Sequence, residues 1–401
     1  MRSMKNRGLR PKTLVLTTII AFVLSLTALC PADTFKHKTS EKTYQGYAEQ
    51  DPNNGKTAVY TTESGKLLLN LSEYEIIPND QGRNRFVSVL SLDSAIEYEI
   101  VTAAFEKAMV EESNKGPLFI AIEIDCPGGR VDLATRMCSA ITKMHNCQSV
   151  AFIKGGPEGG AYSGAAAVAL ACNKIYMSGA TVIGAATVID GRGYDLEKTR
   201  GVNLSEKIRS AWRNYMASLA EQNHRPVAFA RAMENKDIEI LEVRRDGKTH
   251  YIESGEKKST DSVVRVRKPK GQIVTLPAGE AVEYGVADKV VSSLQDVLAD
   301  RNATDANVIR PNQMTLAKEE FDKVNRKFEK LKNSLDTKFH TLSAKSRNGG
   351  ITINDAKKAF KGIIQEMKYL IRLKKTYPDV PCEEEDLQDT INAIQAEYES
   401  L

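Results

Sequence analysis

Residues 155–166 place Gly155, Gly156, Gly159 and Gly160 just ahead of Ser163, Gly164, Ala165 and Ala166. A serine at the first turn of a small-residue helix has two uses. It can cap the helix by accepting a backbone N–H, which is the common job of serine at that position. It can instead be a nucleophile exposed at a strand–turn–helix bend. Its oxyanion would then be held by the Gly164 amide and an amide of an upstream glycine pair. The spacing is not the G-x-S-x-G elbow of α/β-hydrolases, and the residues alone leave both uses open. A second glycine-rich place, Asp125-Cys126-Pro127-Gly128-Gly129-Arg130, follows one apolar run and precedes a helical pattern. Glycines there let backbone approach a ligand, and amides opening a helix hold negative charge. An ordinary strand-to-helix turn would use the same residues. Neither stretch is a phosphate loop or a dinucleotide fingerprint.

The elements that must position these residues alternate in type. Residues 86–92, 118–124 and 149–154 are β-branched apolar runs, and residues 95–112, 131–144 and 163–171 have helical spacing between or after them. Strands alternating with helices of that length predict βαβ units around a largely parallel sheet. Short apolar pieces follow at 174–177 and 181–183, then a long helix at 204–222. Over 237–252 the period switches to alternation about an Arg245-Asp246-Gly247-Lys248 turn, which predicts a β-hairpin. A helical return at 277–284 and a strand at 285–291 close this region. Residues 31–84 read as a polar leader with one or two short strands, such as 66–71. Residues 296–401 read as a charged helical tail folded as a hairpin, from helices at 315–334 and 354–373 split by Asn348-Gly349-Gly350. Either a solvated pair or a coiled oligomerisation arm fits that tail. Four units result: 1–30, 31–84, 85–295 with an insertion at 237–271, and 296–401.

Composition narrows the class further. With 401 residues, 41% hydrophobic and 27% charged, the chain can bury a core. The formal charge of +4 comes from Arg2, Lys5, Arg7, Arg10 and Lys12; beyond residue 30 there are 51 Lys+Arg against 52 Asp+Glu. A body without cationic surplus predicts no nucleic-acid partner. Those five cations precede 17 uncharged residues, 13–29, rich in Leu, Ile, Val and Ala. This reads as an export signal, an uncleaved membrane anchor, or, given Cys30, a lipid-modified terminus. The expected location is therefore outside the cytosol, periplasmic or membrane-associated. Six cysteines and five histidines show no zinc spacing, so neither a metal nor a cofactor is expected. Cys172 reads as a small core residue; Cys138 and Cys147 would pair if a helix end folded back.

Read together, residues 124–132 (Ile-Asp-Cys-Pro-Gly-Gly-Arg-Val-Asp), 160–171 (Gly-Ala-Tyr-Ser-Gly-Ala-Ala-Ala-Val-Ala-Leu-Ala), 181–186 (Thr-Val-Ile-Gly-Ala-Ala) and 278–288 resemble the ClpP-class serine peptidases. The closest branch is the membrane-associated NfeD-type proteases, with signal peptide peptidase A more distant. The likeness covers about residues 85–295, with a gap through 237–271. It implies a ClpP/crotonase-type α/β core, peptide-bond hydrolysis of an extended peptide or protein substrate that can be apolar, and homo-oligomerisation. It assigns the nucleophile to Ser163 and the oxyanion donors to Gly129 and Gly164, with Gly128 their neighbour. The general base of the exported branch is a lysine, and Lys207-Ile208 with Leu219-Ala220-Glu221 and Arg225 matches its setting. Lys198 and His224 compete for that role.

A lysine ordinarily titrates near 10.4, so it acts as a base only when burial lowers that value. Lys207 lies at the edge of the stripe formed by Leu204, Ile208, Ala211 and Tyr215. That edge allows either a reach into a cleft or an amine left in water. The branch normally carries transmembrane helices and a small β-barrel after the protease domain, where this chain has its charged tail. The basic 237–271 insertion reads as a solvated hairpin or as a substrate lid. Two rival functions remain, a non-catalytic exported scaffold and, more weakly, a crotonase-like acyl-CoA enzyme.

Overall fold

A computed structural model describes residues 33–50, 57–61, 64–77, 85–144, 146–190 and 193–401. The basic, apolar leader of residues 1–30, with Cys30, lies outside the described residues.

Residues 33–77 build more than the one or two strands expected. Strands β1 (Asp33–His37), β2 (Thr43–Gln50), β3 (Thr57–Thr61), β4 (Gly65–Leu69) and β5 (Tyr74–Ile77) form an antiparallel sheet in the order β4-β3-β2-β1-β5. Phe35, Val59, Leu69 and Tyr74 close a small core of their own. Polar residues on the open face hid this alternation from a sequence reading.

The central layer is a six-stranded, all-parallel sheet in the order β16-β10-β8-β7-β6-β17. Its strands are β6 (Phe86–Leu92), β7 (Phe119–Ile124), β8 (Gln148–Ile153), β10 (Lys174–Ser178), β16 (Lys289–Val291) and β17 (Asn307–Ile309). Every residue of β7 and β8 is buried, as a parallel strand covered on both faces requires. Helices α1 (Glu99–Asn114) and α2 (Val131–Thr142) cross over between β6, β7 and β8. The α/β class and the βαβ order are those the sequence predicts. Strand β17 extends the sheet past residue 295, where the sequence reading ended this domain; it pairs in parallel with β6.

A smaller sheet stands beside the main one. In it β9 (Gly160–Tyr162) pairs in parallel with β11 (Val182–Gly184), and β15 (Thr275–Pro277) antiparallel with β11. Helix α3 (Gly164–Ala171) is buried along its whole length; its Ala and Gly side chains let neighbouring backbones close in. Helices α4 (Leu196–Arg200), α5 (Val202–Gln222) and α6 (Val227–Ala232) follow. The 237–271 insertion is a three-stranded antiparallel sheet rather than a hairpin. Strand β12 (Ile240–Arg245) lies between β13 (Lys248–Glu253) and β14 (Ser262–Lys268). Helices α7 (Ala278–Glu283) and α8 (Leu294–Asp300) flank β16.

The tail holds three helices rather than a hairpin: α9 (Gln313–Arg347), α10 (Ile353–Thr376) and α11 (Glu384–Glu399). Phe321, Phe328, Leu335 and Leu342 recur every seven residues on α9, and Ala356, Phe360, Ile363, Met367 and Leu370 alternate four and three on α10. With Leu387, Ile391 and Ile394 of α11 they share one core. This is coiled-coil spacing closed within a single chain. Among the described residues no helix is long and apolar enough to cross a membrane.

Candidate active site

Ser163 joins β9 to α3 at φ 51° and ψ −121°. A non-glycine residue held there is strained by about 1–3 kcal/mol, and such strain gathers at functional sites. The side chain makes no capping bond to its helix, and among the described residues its Oγ has no hydrogen-bond partner. The bland use of the serine, as a cap, is therefore absent. The conformation is imposed from both sides. The Ser163 amide donates to the Gly184 carbonyl at 2.9 Å, and its carbonyl accepts from Ala166 N–H at 3.0 Å. Strand β9 is gripped by the 126 segment, with Cys126 N–H donating to Gly160 O at 2.8 Å and Tyr162 N–H to Cys126 O at 3.0 Å.

The two glycine-rich stretches meet here. Gly128 and Gly129 take φ values of 91° and 149°, open to glycine and strained for other residues. A Cβ on Gly128 would fall 2.5 Å from Ser163 Cβ and 2.8 Å from the Gly164 nitrogen. A Cβ on Gly164 would lie 3.7 Å from the Gly129 nitrogen and 2.8 Å from Ala134 Cβ. The absent side chains thus bring the Ser163 hydroxyl and two amides into one cradle. The three glycines are not equivalent. Gly128 N–H donates to Cys126 Sγ at 3.3 Å, whereas the Gly129 and Gly164 amides have no acceptor among the described residues. Of the three, only Gly129 and Gly164 have amides left to donate to a group placed beside Ser163.

Asp125, which the sequence reading left without a role, is buried and accepts from the amides of Glu158, Gly159 and Gly160 at 3.2, 2.9 and 3.2 Å. It staples the glycine-rich loop in front of β9. The available signal was an acid directly after the largely apolar run 118–124. Arg130 is the other such residue. It spreads its guanidinium over Asp132, Glu99 and Asp379.

Lys207 is exposed near the start of α5, and among the described residues its amine contacts neither Ser163 nor any carboxylate. The opposite end of α5 is fixed: Asn223 Nδ2 donates to Leu170 O at 2.9 Å and Ala171 O at 3.2 Å. In its middle, Trp212 Nε1 donates to Ala186 O at 3.1 Å, two residues past the carbonyl that holds Ser163. Lys207 lies five residues before Trp212, about 7.5 Å along the axis. Lys198, on α4, is exposed as well. His224 sits beside the C-terminal end of α3, and Ser163 precedes its N-terminus; about 12 Å of helix separates the two ends.

Among the described residues the cysteine thiols are unpaired. Burial pushes Cys126, Cys147 and Cys172 up to about 12 and raises Cys138 as well. Cys138 and Cys147 form no disulfide: each is packed separately in the apolar core rather than facing the other at a helix end. Among the described residues no cluster of His, Cys, Asp and Glu could hold a metal.

Comparison with known proteins bears on this region. Residues 86–261 match the family model described as NfeD1b, N-terminal domain. Membrane protein NfeD1b of Bacillus subtilis (strain 168) is 24% identical over 257 residues, covering 64% of this chain and 48% of its own length. The chain thus spans about half the length of this curated relative. Two solved structures of the 1510-N membrane-bound stomatin-specific protease, a serine-to-alanine mutant and a lysine-to-alanine mutant with a substrate peptide, are 20% and 19% identical. Each covers 57% of this chain, with 98% and 92% of their own chains matched and TM-scores of 0.41 and 0.42. A third, from Pyrococcus horikoshii, is 18% identical with a TM-score of 0.38, matching 57% of this chain and 94% of its own. Residues 86–261 of the chain are thus similar to the N-terminal domain of NfeD1b.

Proposed function

We propose that the chain is a serine endopeptidase. Ser163 Oγ attacks the scissile carbonyl carbon, and the developing oxyanion is taken up by the Gly129 and Gly164 amides. Lys207 removes the hydroxyl proton and returns it to the leaving amine; water then releases the acyl group by the same route. The observation carrying this reading is Ser163 itself: strained, uncapped, and beside two amides that lack acceptors. Preorganised donors of that kind are commonly the largest single catalytic contribution. Residues 13–29 would associate the protein with a membrane, on the exported side, and the substrate would be an extended peptide, apolar in part.

Lys207 demands a condition. Lys207 is exposed, and this residue serves as a base only when substrate or a second copy of the chain covers the start of α5. The neighbouring Val202 and Leu204 are 66% and 45% exposed, apolar surface of the sort such a cover would bury. The same exposure of Lys207 favours a second reading, a non-catalytic scaffold that keeps the fold.

Casein offered to protein lacking residues 1–30, alongside Ser163→Ala and Lys207→Ala, separates the readings. Cleavage lost by at least about 10³-fold in Ser163→Ala supports the peptidase, given what removal of a nucleophile costs in comparable enzymes. Equal cleavage by all three rejects these assignments, and cleavage by none favours the scaffold.

A further inference from the structure

The tail and the oxyanion cradle meet at one carboxylate. Asp379 lies between α10 and α11, with its side chain 5% exposed. One oxygen accepts from the Glu99 amide at the start of α1, and the other accepts from Arg130 Nη1 at 2.9 Å. Tyr98 caps that helix without a side-chain bond, so the acceptor for the first turn comes from the tail, about 280 residues on. These two contacts straddle the Gly128–Gly129 turn. On one wall Ile96 N–H donates to Gly128 O at 2.7 Å, and Ile96 O accepts from Arg130 N–H at 2.8 Å. Glu99 is three residues past Ile96, and Arg130 is the residue after Gly129. The same wall is packed onto the tail, with the Tyr98 ring 4.3 Å from the Phe321 ring of α9. Further along α1, Glu111 accepts from Gln313 Nε2 at 3.2 Å.

We propose that the C-terminal helical unit is a built-in positioning element for the oxyanion cradle, with Asp379 as the positioning residue. By fixing the start of α1 and the guanidinium of Arg130 together, Asp379 holds the strand-like 95–98 segment against the glycine turn. That contact sets the direction of the Gly129 amide. Asp379 touches no reacting atom; it acts through Glu99 and Arg130. The inference rests on the reading of Gly129 as an oxyanion donor. A buried acceptor bridging two partners is worth far more than the exposed ion pair of Arg130 with Asp132, which screening leaves nearly neutral.

The test uses the full chain with Asp379→Ala, Asp379→Asn, Arg130→Ala and the double variant Asp379→Ala/Arg130→Ala, with Ser163→Ala and the exposed tail change Glu366→Gln as references. Turnover of labelled casein and inhibition by a peptide boronate, which forms a tetrahedral adduct needing the oxyanion donors, are measured together. In Asp379→Ala, kcat falls about 10-fold and boronate affinity falls by the same factor, because a displaced donor loses transition-state rather than substrate binding. KM stays within about twofold. Asp379→Asn retains an acceptor for the Glu99 amide and loses less. In the double variant the loss is clearly smaller than the product of the two single losses. Glu366→Gln matches the wild type. Wild-type kcat and boronate affinity in folded Asp379→Asn and Asp379→Ala, with Ser163→Ala inactive, overturn the inference and leave the peptidase reading standing. If Asp379→Ala does not fold, an unchanged Asp379→Asn overturns it alone. Equal turnover by wild type and Ser163→Ala removes the peptidase reading first and this inference with it.

Discussion

Around Ser163 the backbone is tied at each step, to Gly184, to Cys126 through β9, and to the Gly128–Gly129 turn across contacts that admit no Cβ. Around Lys207 the helix is anchored by other residues, and the exposed amine makes no hydrogen bond or ion pair among the described residues. The nucleophile half of the proposed centre is thus finished within one chain, while the base half waits for cover. Preorganisation explains the difference in construction: oxyanion donors act by being fixed before reaction, whereas an amine becomes available as a free base only where lost water disfavours its charged form.

Removing the base tests the unfinished half most severely. Lys207→Met should lower kcat by about 10²–10⁴-fold, the usual worth of a positioned general base, with the fold intact by circular dichroism because the residue is exposed. An unchanged rate would leave the cradle without this partner and move attention to Lys198. On the finished half, Gly128→Ala places a methyl 2.5 Å from Ser163 Cβ at φ 91°. Turnover should drop about 10²-fold, in line with loss or displacement of one oxyanion contact, and labelling of Ser163 by a fluorophosphonate should slow with it. If Gly128→Ala labels at the wild-type rate, the cradle is looser than its contacts imply.

The same contrast decides what the sequence made legible. The parallel sheet, the crossover helices and the two glycine stretches are local patterns, written in apolar runs and in residues with unusual φ, and they stand where the sequence places them. Gly128's separate role was not legible, because nothing in Cys-Pro-Gly-Gly says that Cys126 Sγ takes its amide. Asp379 was not legible either. An aspartate between two helices looks solvated, and its burial depends on the tail folding back over α1. The heptads of α9 were obscured by lysines at flanking positions, and the five-stranded sheet of residues 33–77 by its polar open face. Long-range partnerships of this kind carry no periodic signal.

Behind the cradle, the β10–β16 edge rests on a charged cluster. Arg225, with its side chain 4% exposed, donates to Asp288 at 2.8 Å and to Val286 O at 2.7 Å, and Asp288 also accepts from Ile175 N–H at 2.8 Å. Burial pushes the Asp288 carboxyl up, but Arg225, the Ile175 amide and Lys174 together hold it below its ordinary 3.8. A depressed acid contributes stability that is fully present above its unfolded value and is lost as pH falls through the folded one. Asp288→Asn should therefore cost about 2 kcal/mol at neutral pH, the scale of a charge-assisted bond. It should also flatten the acid limb of the stability curve below about pH 4. Equal denaturation midpoints for the two proteins at pH 7 would remove Asp288 from the anchoring of that edge.

The smallest effect bears directly on strain. Ser163 holds φ 51° against its own Cβ, and alanine in its place would keep that strain while losing the hydroxyl. Glycine would relieve the strain and, in exchange, free more of the unfolded chain. With strain of about 1–3 kcal/mol and a glycine cost of about 0.5–1 kcal/mol, Ser163→Gly should be more stable than Ser163→Ala by about 1 kcal/mol. Both variants should be inactive. Urea midpoints compared at equal slope read this difference. At Lys207 the ordering should reverse, because a relaxed helical residue gains nothing from glycine, and Lys207→Gly should be less stable than Lys207→Ala by about 1 kcal/mol. Alanine more stable than glycine at both positions would mean that the backbone at Ser163 stores no strain, and that the nucleophile half is no more constrained than the base half.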